Sequence, residues 1–349
     1  MIEQFSDRTN MASNYQIVNQ LDTKENFNEI HAFALHVLVG LSESKKSLSS
    51  KYFYNARGSE LFRKISFLKE YYLTNSEIEI LQSKVAEIEE TMEDREFNLV
   101  ELGAGFGRKT KFLVDHMLSS GLKFRYVPID ISEGSMDELV TELGKTNPEL
   151  EVCGLVSDYY NGLKWLNNRY KSRNFVMFLG SSIGNFTHGE SRVFLRNLWN
   201  SLNNGDKVLI GFDLKKDIEL LLSAYNDSEG VTAQFNLNLL LRINEELGGE
   251  FDLNKFRYFS TYDLFAGGIK SYLVSLEKQE VYIEKIGRSF SFEPWEPIHT
   301  EYSYKYLVPD IERLASETGF LVEKHLFDSK RYFVDSIWKV YKPGNLLTE

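Results

Sequence analysis

The run Glu101-Leu102-Gly103-Ala104-Gly105-Phe106-Gly107 closes an apolar stretch, Phe97 to Leu102, with three glycines two apart. Glycine lets a backbone turn sharply and lets a ligand approach it closely. In an open α/β sheet such a turn, beyond the carboxyl end of a strand, is where a nucleotide-type ligand sits. A dinucleotide turn has the form G-x-G-x-x-G. Here the glycines follow G-x-G-x-G, and Arg108 stands where the last dinucleotide glycine would be. Glu101, just before the turn, suits a ligand that carries no pyrophosphate. A plain tight turn is the bland alternative.

Two further strand ends carry the groups such a ligand needs. Asp130 ends Tyr126-Val127-Pro128-Ile129-Asp130, and an ionised carboxylate there can accept both hydroxyls of a ribose. Ser157-Asp158-Tyr159 ends the next strand, where Asp158 can accept from an adenine amino group and Tyr159 can lie against the ring. Singly, each aspartate reads as a loop or cap residue. In series they select S-adenosylmethionine, with a nicotinamide-dependent oxidoreductase as the competing reading.

These residues need a frame. Phe97–Leu102, Phe124–Ile131, Leu150–Val156, Phe175–Leu179 and Lys207–Phe212 read as strands, with helical spacing over Arg108–Leu118, Met136–Leu143 and Ser191–Leu202. Alternation of this kind predicts a parallel, doubly wound sheet with right-handed crossovers. Upstream, residues 25–44, Ser59–Leu68 and Ser76–Met92 read as helices. Downstream the regularity breaks. Val231–Leu247 reads as one long helix, and Ile269–Ile286 alternates as antiparallel strands do. A helix, Asp310–Thr318, and two strands, Phe320–Leu326 and Tyr332–Tyr341, return at the end. The expected division is a polar tail over 1–20, a cofactor-binding domain over 76–225 plus 305–349, and a smaller α+β substrate lobe over 21–75 plus 226–304.

Bulk properties narrow the function. The chain has 349 residues and a formal net charge of −11. It lacks the basic footprint that nucleic acid or an anionic membrane surface demands. Cys153 is the only cysteine, which excludes an intrachain disulfide and a Cys-type zinc site. The six histidines show no metal-ligand spacing, so no metal is expected. No apolar stretch approaches the roughly 18–20 residues of a membrane span, and residues 1–20 have no apolar signal core. A cytoplasmic monomer with a small-molecule substrate is the expectation.

More specific segments lie outside the glycine turn. They are Tyr52-Phe53-Tyr54-Asn55-Ala56-Arg57-Gly58-Ser59, Glu70-Tyr71-Tyr72-Leu73-Thr74, Phe178-Leu179-Gly180-Ser181-Ser182-Ile183-Gly184-Asn185-Phe186, Gly211-Phe212-Asp213-Leu214-Lys215-Lys216-Asp217, Ala224-Tyr225-Asn226-Asp227, Phe235-Asn236-Leu237-Asn238 and Thr300-Glu301-Tyr302-Ser303-Tyr304-Lys305-Tyr306. With Glu101 to Gly105 they run in the order found in the histidine-specific N-methyltransferases of ergothioneine biosynthesis, which this chain resembles from about residue 50 to 306. The resemblance implies a class I methyltransferase Rossmann-like sheet and trimethylation of the α-amine of free L-histidine to hercynine. It implies cofactor contacts from Tyr54, Gly103, Gly105, Lys109, Asp130, Asp158 and Tyr159. It also implies that Tyr71, Asn185 and Tyr225 hold the substrate carboxylate, and that Glu301 and Ser303 hold the imidazole. The Tyr54 hydroxyl and the Gly180 carbonyl are the groups expected to orient the amine, and no strong general base is assigned.

The chain departs from the family pattern at one substrate position. Ile269-Lys270-Ser271 stands where Ile-Glu-Met is usual, so Ser271 replaces a methionine that packs on the substrate side chain. The alternative that follows is the same chemistry on another free amino acid or small amine. Lys69, in place of a proline before Glu70, is read as neutral.

Overall fold

The computed structural model describes residues 5–9, 15–20, 29–92 and 96–342. Its strands, in chain order, are β1 (Phe5–Thr9), β2 (Tyr15–Gln20), β3 (Glu96–Leu102), β4 (Lys123–Asp130), β5 (Glu151–Val156), β6 (Arg173–Phe178), β7 (Lys207–Asp213), β8 (Phe256–Asp263), β9 (Gly268–Ser275), β10 (Gln279–Ile283), β11 (Arg288–Phe292), β12 (Pro297–Tyr304), β13 (Phe320–Phe327) and β14 (Phe333–Val340). Its helices are α1 (Glu29–Ser42), α2 (Ala56–Ile65), α3 (Tyr72–Ser83), α4 (Val85–Glu89), α5 (Thr110–Ser119), α6 (Glu133–Thr146), α7 (Tyr159–Arg169), α8 (His188–Ser201), α9 (Ile218–Ser223), α10 (Val231–Leu247) and α11 (Val308–Thr318).

The chain divides into two compact units, residues 1–23, 73–215 and 306–349 in the first and 24–72 and 216–305 in the second. The first holds the large sheet. β5, β4, β3, β6 and β7 lie side by side in parallel, and β14 and β13 follow antiparallel. This is the strand order of a class I methyltransferase sheet, the fold that the resemblance implies, and the two terminal strands close it. β3 through β7 are buried along nearly their whole length because helices cover both faces. Leu99 and Val100, neighbours that point to opposite faces of β3, are both fully buried. The order reverses between β4 and β6 on either side of β3, which places a ligand crevice at the carboxyl end of β3.

Several expectations needed correction. The single helix read over Ser76–Met92 is broken at Lys84, whose backbone leaves the helical region (φ −115°, ψ 11°) between α3 and α4. α7 went unforeseen because glycine and three asparagines in Tyr159–Arg169 lower its helical propensity. Of residues 1–20, read as a flexible tail, 1–4 and 10–14 lie outside the described residues; within the rest β2 adds in parallel to β5, and β1 pairs with β2. An edge strand presents a row of unsatisfied backbone groups, and β2 supplies partners for it.

The second unit contains the antiparallel sheet β12-β9-β8 and the hairpin β10-β11. α10 buries Phe235, Leu239, Ile243 and Leu247, a stripe at helical spacing. Residues 216–225 belong here rather than with the first unit, where the sequence reading put them. Tyr258 on β8 donates its hydroxyl to the Tyr225 carbonyl (2.9 Å), which ties the segment to the small sheet. No helix among the described residues is long and apolar enough to cross a membrane.

Candidate active site

The glycine turn has the geometry its composition demands. Gly103, Gly105 and Gly107 all have positive φ (73°, 51° and 64°), which residues with a Cβ rarely adopt. A Cβ on Gly103 would stand 3.0 Å from the Tyr159 hydroxyl, whereas one on Gly105 would meet nothing within 4 Å. The turn is therefore open above Gly105 and bounded by Tyr159. That shape fits a ligand lying across the backbone.

Asp130 ends β4 beside this turn. Its Oδ2 accepts from the Gly105 amide and its Oδ1 from the Ser132 amide, both at 2.9 Å. Burial pushes its carboxyl above the usual range, and the two amides oppose that shift. Hydroxyl donors of a ribose would relieve the same penalty. Asp130, Gly103, Gly105 and Tyr159 are thus brought together as the sequence implied.

Asp158 plays a second part. It is exposed and caps α7, with Oδ1 accepting from the amides of Tyr160 and Asn161 at 3.1 Å each. Its Oδ2 accepts from the Asn161 side chain at 2.7 Å. The cap fixes the direction in which Tyr159 leaves the strand end. Glu101 lies among Tyr126 of β4, Thr110 at the start of α5, and Lys109. It is buried, accepts from the Tyr126 hydroxyl, and burial pushes its carboxyl up to about 7.

Lys109 and Gly180 meet through a residue the sequence reading missed. Glu77 on α3 is fully buried and accepts from Lys109 Nζ at 2.5 Å. Its two oxygens also accept from the Gly180 amide at 2.7 and 3.0 Å. One carboxylate therefore ties the start of α5 to the loop after β6. The signal was present: Glu77 lies between Leu73 and Leu81 at helical spacing, a charge set in an apolar stripe. The sequence reading places it only within a helix over Ser76–Met92. Asp335 on β14 pairs in register with Gly211, over which a Glu77 oxygen sits, so two buried carboxyls adjoin. Burial first, then Glu77, push the Asp335 carboxyl well up.

The loop after β6 is itself constrained. Gly180 (φ 77°) and Ser181 (φ 56°) are both left-handed, and the Ser181 hydroxyl accepts from the Asp213 amide at 3.0 Å. The turn Ser182–Asn185 follows and carries Asn185 at its end. Strain of this kind in a non-glycine residue is held by its surroundings and clusters at functional loops.

The remaining site residues lie in the second unit. Tyr54 packs edge-on against Phe62 (5.7 Å between ring centroids), Phe62 against Tyr71 (6.2 Å), and Tyr71 against Tyr225 (6.3 Å). Phe62, which joins these tyrosines, was not singled out from sequence. Glu301 and Ser303 share a face of β12, as their spacing implied. Tyr225 Oη and Ser303 Oγ are 2.6 Å apart, and Lys305 Nζ donates to both, at 2.9 and 2.8 Å. Glu301 keeps some exposure yet is closely surrounded by protein. Burial pushes its carboxyl up to about 7, and Lys305 draws it back.

Ser271 sits opposite Glu301 in the β9–β12 register. It is almost wholly buried, and its hydroxyl lies 3.2 Å from that of Tyr258. Tyr258 thus borders the site at the position where the family pattern has methionine. Ser271→Met is expected to overpack this wall and lower stability by about 1–3 kcal/mol. A thermal or denaturant melt at constant m-value would measure it.

Among the described residues, no group of three or more His, Cys, Asp or Glu is placed to hold a metal ion.

The comparisons with known proteins give the family. The family model described as "Histidine-specific methyltransferase, SAM-dependent" matches residues 33–340. The histidine N-alpha-methyltransferase of Mycolicibacterium smegmatis is 35% identical over 283 residues, covering 81% of this chain and 87% of that protein. That of Mycobacterium tuberculosis is 36% identical over 270 residues, covering 77% and 83%. Ergothioneine biosynthesis protein 1 of Schizosaccharomyces pombe is 32% identical over 306 residues, 84% of this chain but 39% of that longer protein. The nicotinamide reading falls with these matches, because they span both units. The chain belongs to the SAM-dependent histidine-specific methyltransferase family.

Proposed function

We propose that this protein methylates the α-amine of free L-histidine, forming hercynine when three methyl groups are added. The observation that carries the reading is the polar set on β12, Glu301 and Ser303 on one face with Tyr225 against Ser303, in a chain whose relatives bear the histidine N-methyltransferase name. The same relatives favour histidine over the alternative of a different amino acid or small amine.

Gly103, Gly105, Asp130 and Tyr159 would hold S-adenosylmethionine, with Lys109, Asp158 and Tyr54 completing the set carried over from the family. Bound there, it supplies an electrophilic methyl group on a sulfonium. The protein's task is then positioning, which can supply a large share of the rate. Tyr71, Asn185 and Tyr225 would anchor the carboxylate through neutral donors, and Glu301 and Ser303 the ring. The Gly180 carbonyl and the Tyr54 hydroxyl would accept from the amine and aim its lone pair. The Glu77–Gly180 hydrogen bond acts on this directly, since it holds the peptide beside the carbonyl. Proton loss to water completes each cycle.

A panel of free amino acids with labelled S-adenosylmethionine, followed by product mass, tests the reading. Histidine turnover to mono-, di- and trimethylated products, unchanged by a chelator, is expected. Failure of histidine while another amino acid turns over would overturn it.

Asn185→Ala is expected to raise the KM for histidine roughly 10- to 100-fold, the loss of one hydrogen bond to a charged group of about 1.5–3 kcal/mol. The Kd for S-adenosylhomocysteine should stay within about threefold. Collapse of cofactor binding would remove Asn185 from the substrate site.

Glu301 gives a pH signature. Its carboxyl titrates near 7 rather than near 4.5, so it is protonated as pH falls from 8 to 6. A protonated carboxyl loses acceptor capacity toward an imidazole N–H. The KM for histidine should rise over that window, and Glu301→Gln should flatten this limb while raising KM at pH 8. An identical pH profile in both proteins would exclude Glu301 as the titrating group.

A further inference from the structure

We infer that Lys305 is a positioning residue that couples the carboxylate-binding and ring-binding parts of the substrate site. The inference rests on the histidine reading for the roles of Tyr225 and Ser303, and on the hydrogen-bond geometry for everything else.

Lys305 follows the last residue of β12 and keeps the alternation that puts Glu301, Ser303 and Lys305 on one face. Its side chain is only 2% exposed, and Ser303 and Tyr225 are buried with it. An ammonium withdrawn from water in this way carries a large desolvation cost, and removing its partners would leave it uncompensated. A chain that keeps one here gains something from it other than core stability.

What it gains is hydrogen-bond polarity. An ammonium has three N–H donors and no acceptor. The Tyr225 and Ser303 oxygens must therefore both accept from Nζ, at 2.9 and 2.8 Å. Each hydroxyl hydrogen is turned away from Lys305. The 2.6 Å contact between the two oxygens uses one of those hydrogens. The other hydroxyl is left oriented as a donor by the same ammonium. Without Nζ, each hydroxyl can rotate, and the pair can present a lone pair where an anionic or imidazole acceptor needs a hydrogen. Nζ also stands 4.7 Å from the Tyr225 ring centroid, so it restrains the ring as well as its hydroxyl. Glu301, two residues earlier, feels the same charge, which draws its carboxyl back toward the ionised form. One ammonium thus sets the hydrogen directions at Tyr225 and Ser303 and the charge at Glu301.

The test is a double-mutant cycle on the full chain, using the amino acid that the wild-type protein methylates. Lys305→Met keeps length and apolar stem and removes every donor. It is expected to raise the amino-acid KM at least tenfold, with kcat changed less than threefold and the Kd for S-adenosylhomocysteine unchanged. Lys305→Gln retains an N–H₂ donor and is expected to recover most of that loss. Tyr225→Phe combined with Lys305→Met should be no worse than the poorer single variant, since both remove the same oriented hydroxyl. Additive losses, or a Lys305→Met KM within threefold of wild type, would overturn the coupling. Should Lys305→Met not fold, the same cycle run with Lys305→Leu and Ser303→Ala decides by the same criterion. Wild-type turnover of some amino acid other than histidine would sink the histidine reading while leaving this cycle fully informative.

Discussion

Glu77→Ala should lower the stability of the protein by about 3–5 kcal/mol, the range found when one partner of a buried ion pair is removed. The carboxylate is fully buried and has two donors on it: the Lys109 ammonium, and the Gly180 amide, which reaches both oxygens. Truncation strands a lysine that is itself largely shielded and removes the carboxylate that accepts from the Gly180 amide. Glu77→Gln is the sharper probe of function. It preserves volume and one acceptor oxygen, so the fold is retained, but it presents an amide N–H₂ to donors. The Gly180 peptide then loses its fix, and kcat should fall at least tenfold while the KM values for both substrates move less. Ser181, next to Gly180, occupies left-handed backbone, which in a residue with a Cβ persists only while the surroundings over-determine it. A Glu77→Gln protein with wild-type kcat and an unchanged melting temperature would show that the loop needs no such tie. Denaturant melts for the alanine variant and steady-state kinetics for the glutamine variant together separate the structural from the positioning role.

The second large effect is expected at Asp130. Asp130→Asn should weaken S-adenosylhomocysteine binding by roughly 100-fold. That figure corresponds to two charge-assisted hydrogen bonds at about 1.5 kcal/mol each. Two effects combine. The ribose hydroxyls lose an ionised acceptor, and one of the two backbone amides that Asp130 now serves, Gly105 or Ser132, faces an N–H₂ instead of an oxygen. The turn loosens where it must be most open. The amino-acid KM at saturating cofactor should change little. The pH dependence has a definite sign: burial raises the Asp130 carboxyl, so cofactor affinity should fall as pH drops through that raised value, and the asparagine variant should lack this dependence. Isothermal titration across pH measures both effects. A loss below threefold would place the ribose elsewhere.

Both predictions turn on residues that differ in how visible they were. Asp130 announced itself, as a carboxylate closing an apolar run one strand after a glycine turn. So did Glu301 and Ser303, two apart on a strand. Glu77 did not, although a charge between Leu73 and Leu81 has no good reason to be solvated. Lys305 stands in the sequence only as one member of the Thr300–Tyr306 segment. Its alternation with Glu301 and Ser303 was legible, but its burial was not. Phe62 and Tyr258 were silent, because an aromatic residue in a helix or strand reads as core. Asp158 shows the opposite case: the position was right, and the structure adds a capping role that any strand-to-helix junction could ask of it.

The alternation of apolar runs and helical periods by itself determined the class of sheet, the place of its glycine turn and the interruption by a second lobe. Those are local properties. Period, turn chemistry and strand ends are written in neighbouring residues, and each is dictated by backbone sterics and burial of one or both faces. Only the tertiary structure decided what Glu77 and Lys305 do. Their partners lie far along the chain, Gly180 for one and Tyr225 for the other. A buried charge declares its purpose only when the fold shows which donors or acceptors compensate it. The glycine turn by itself was open to more than one cofactor, because its backbone geometry is a local property that two classes of ligand share.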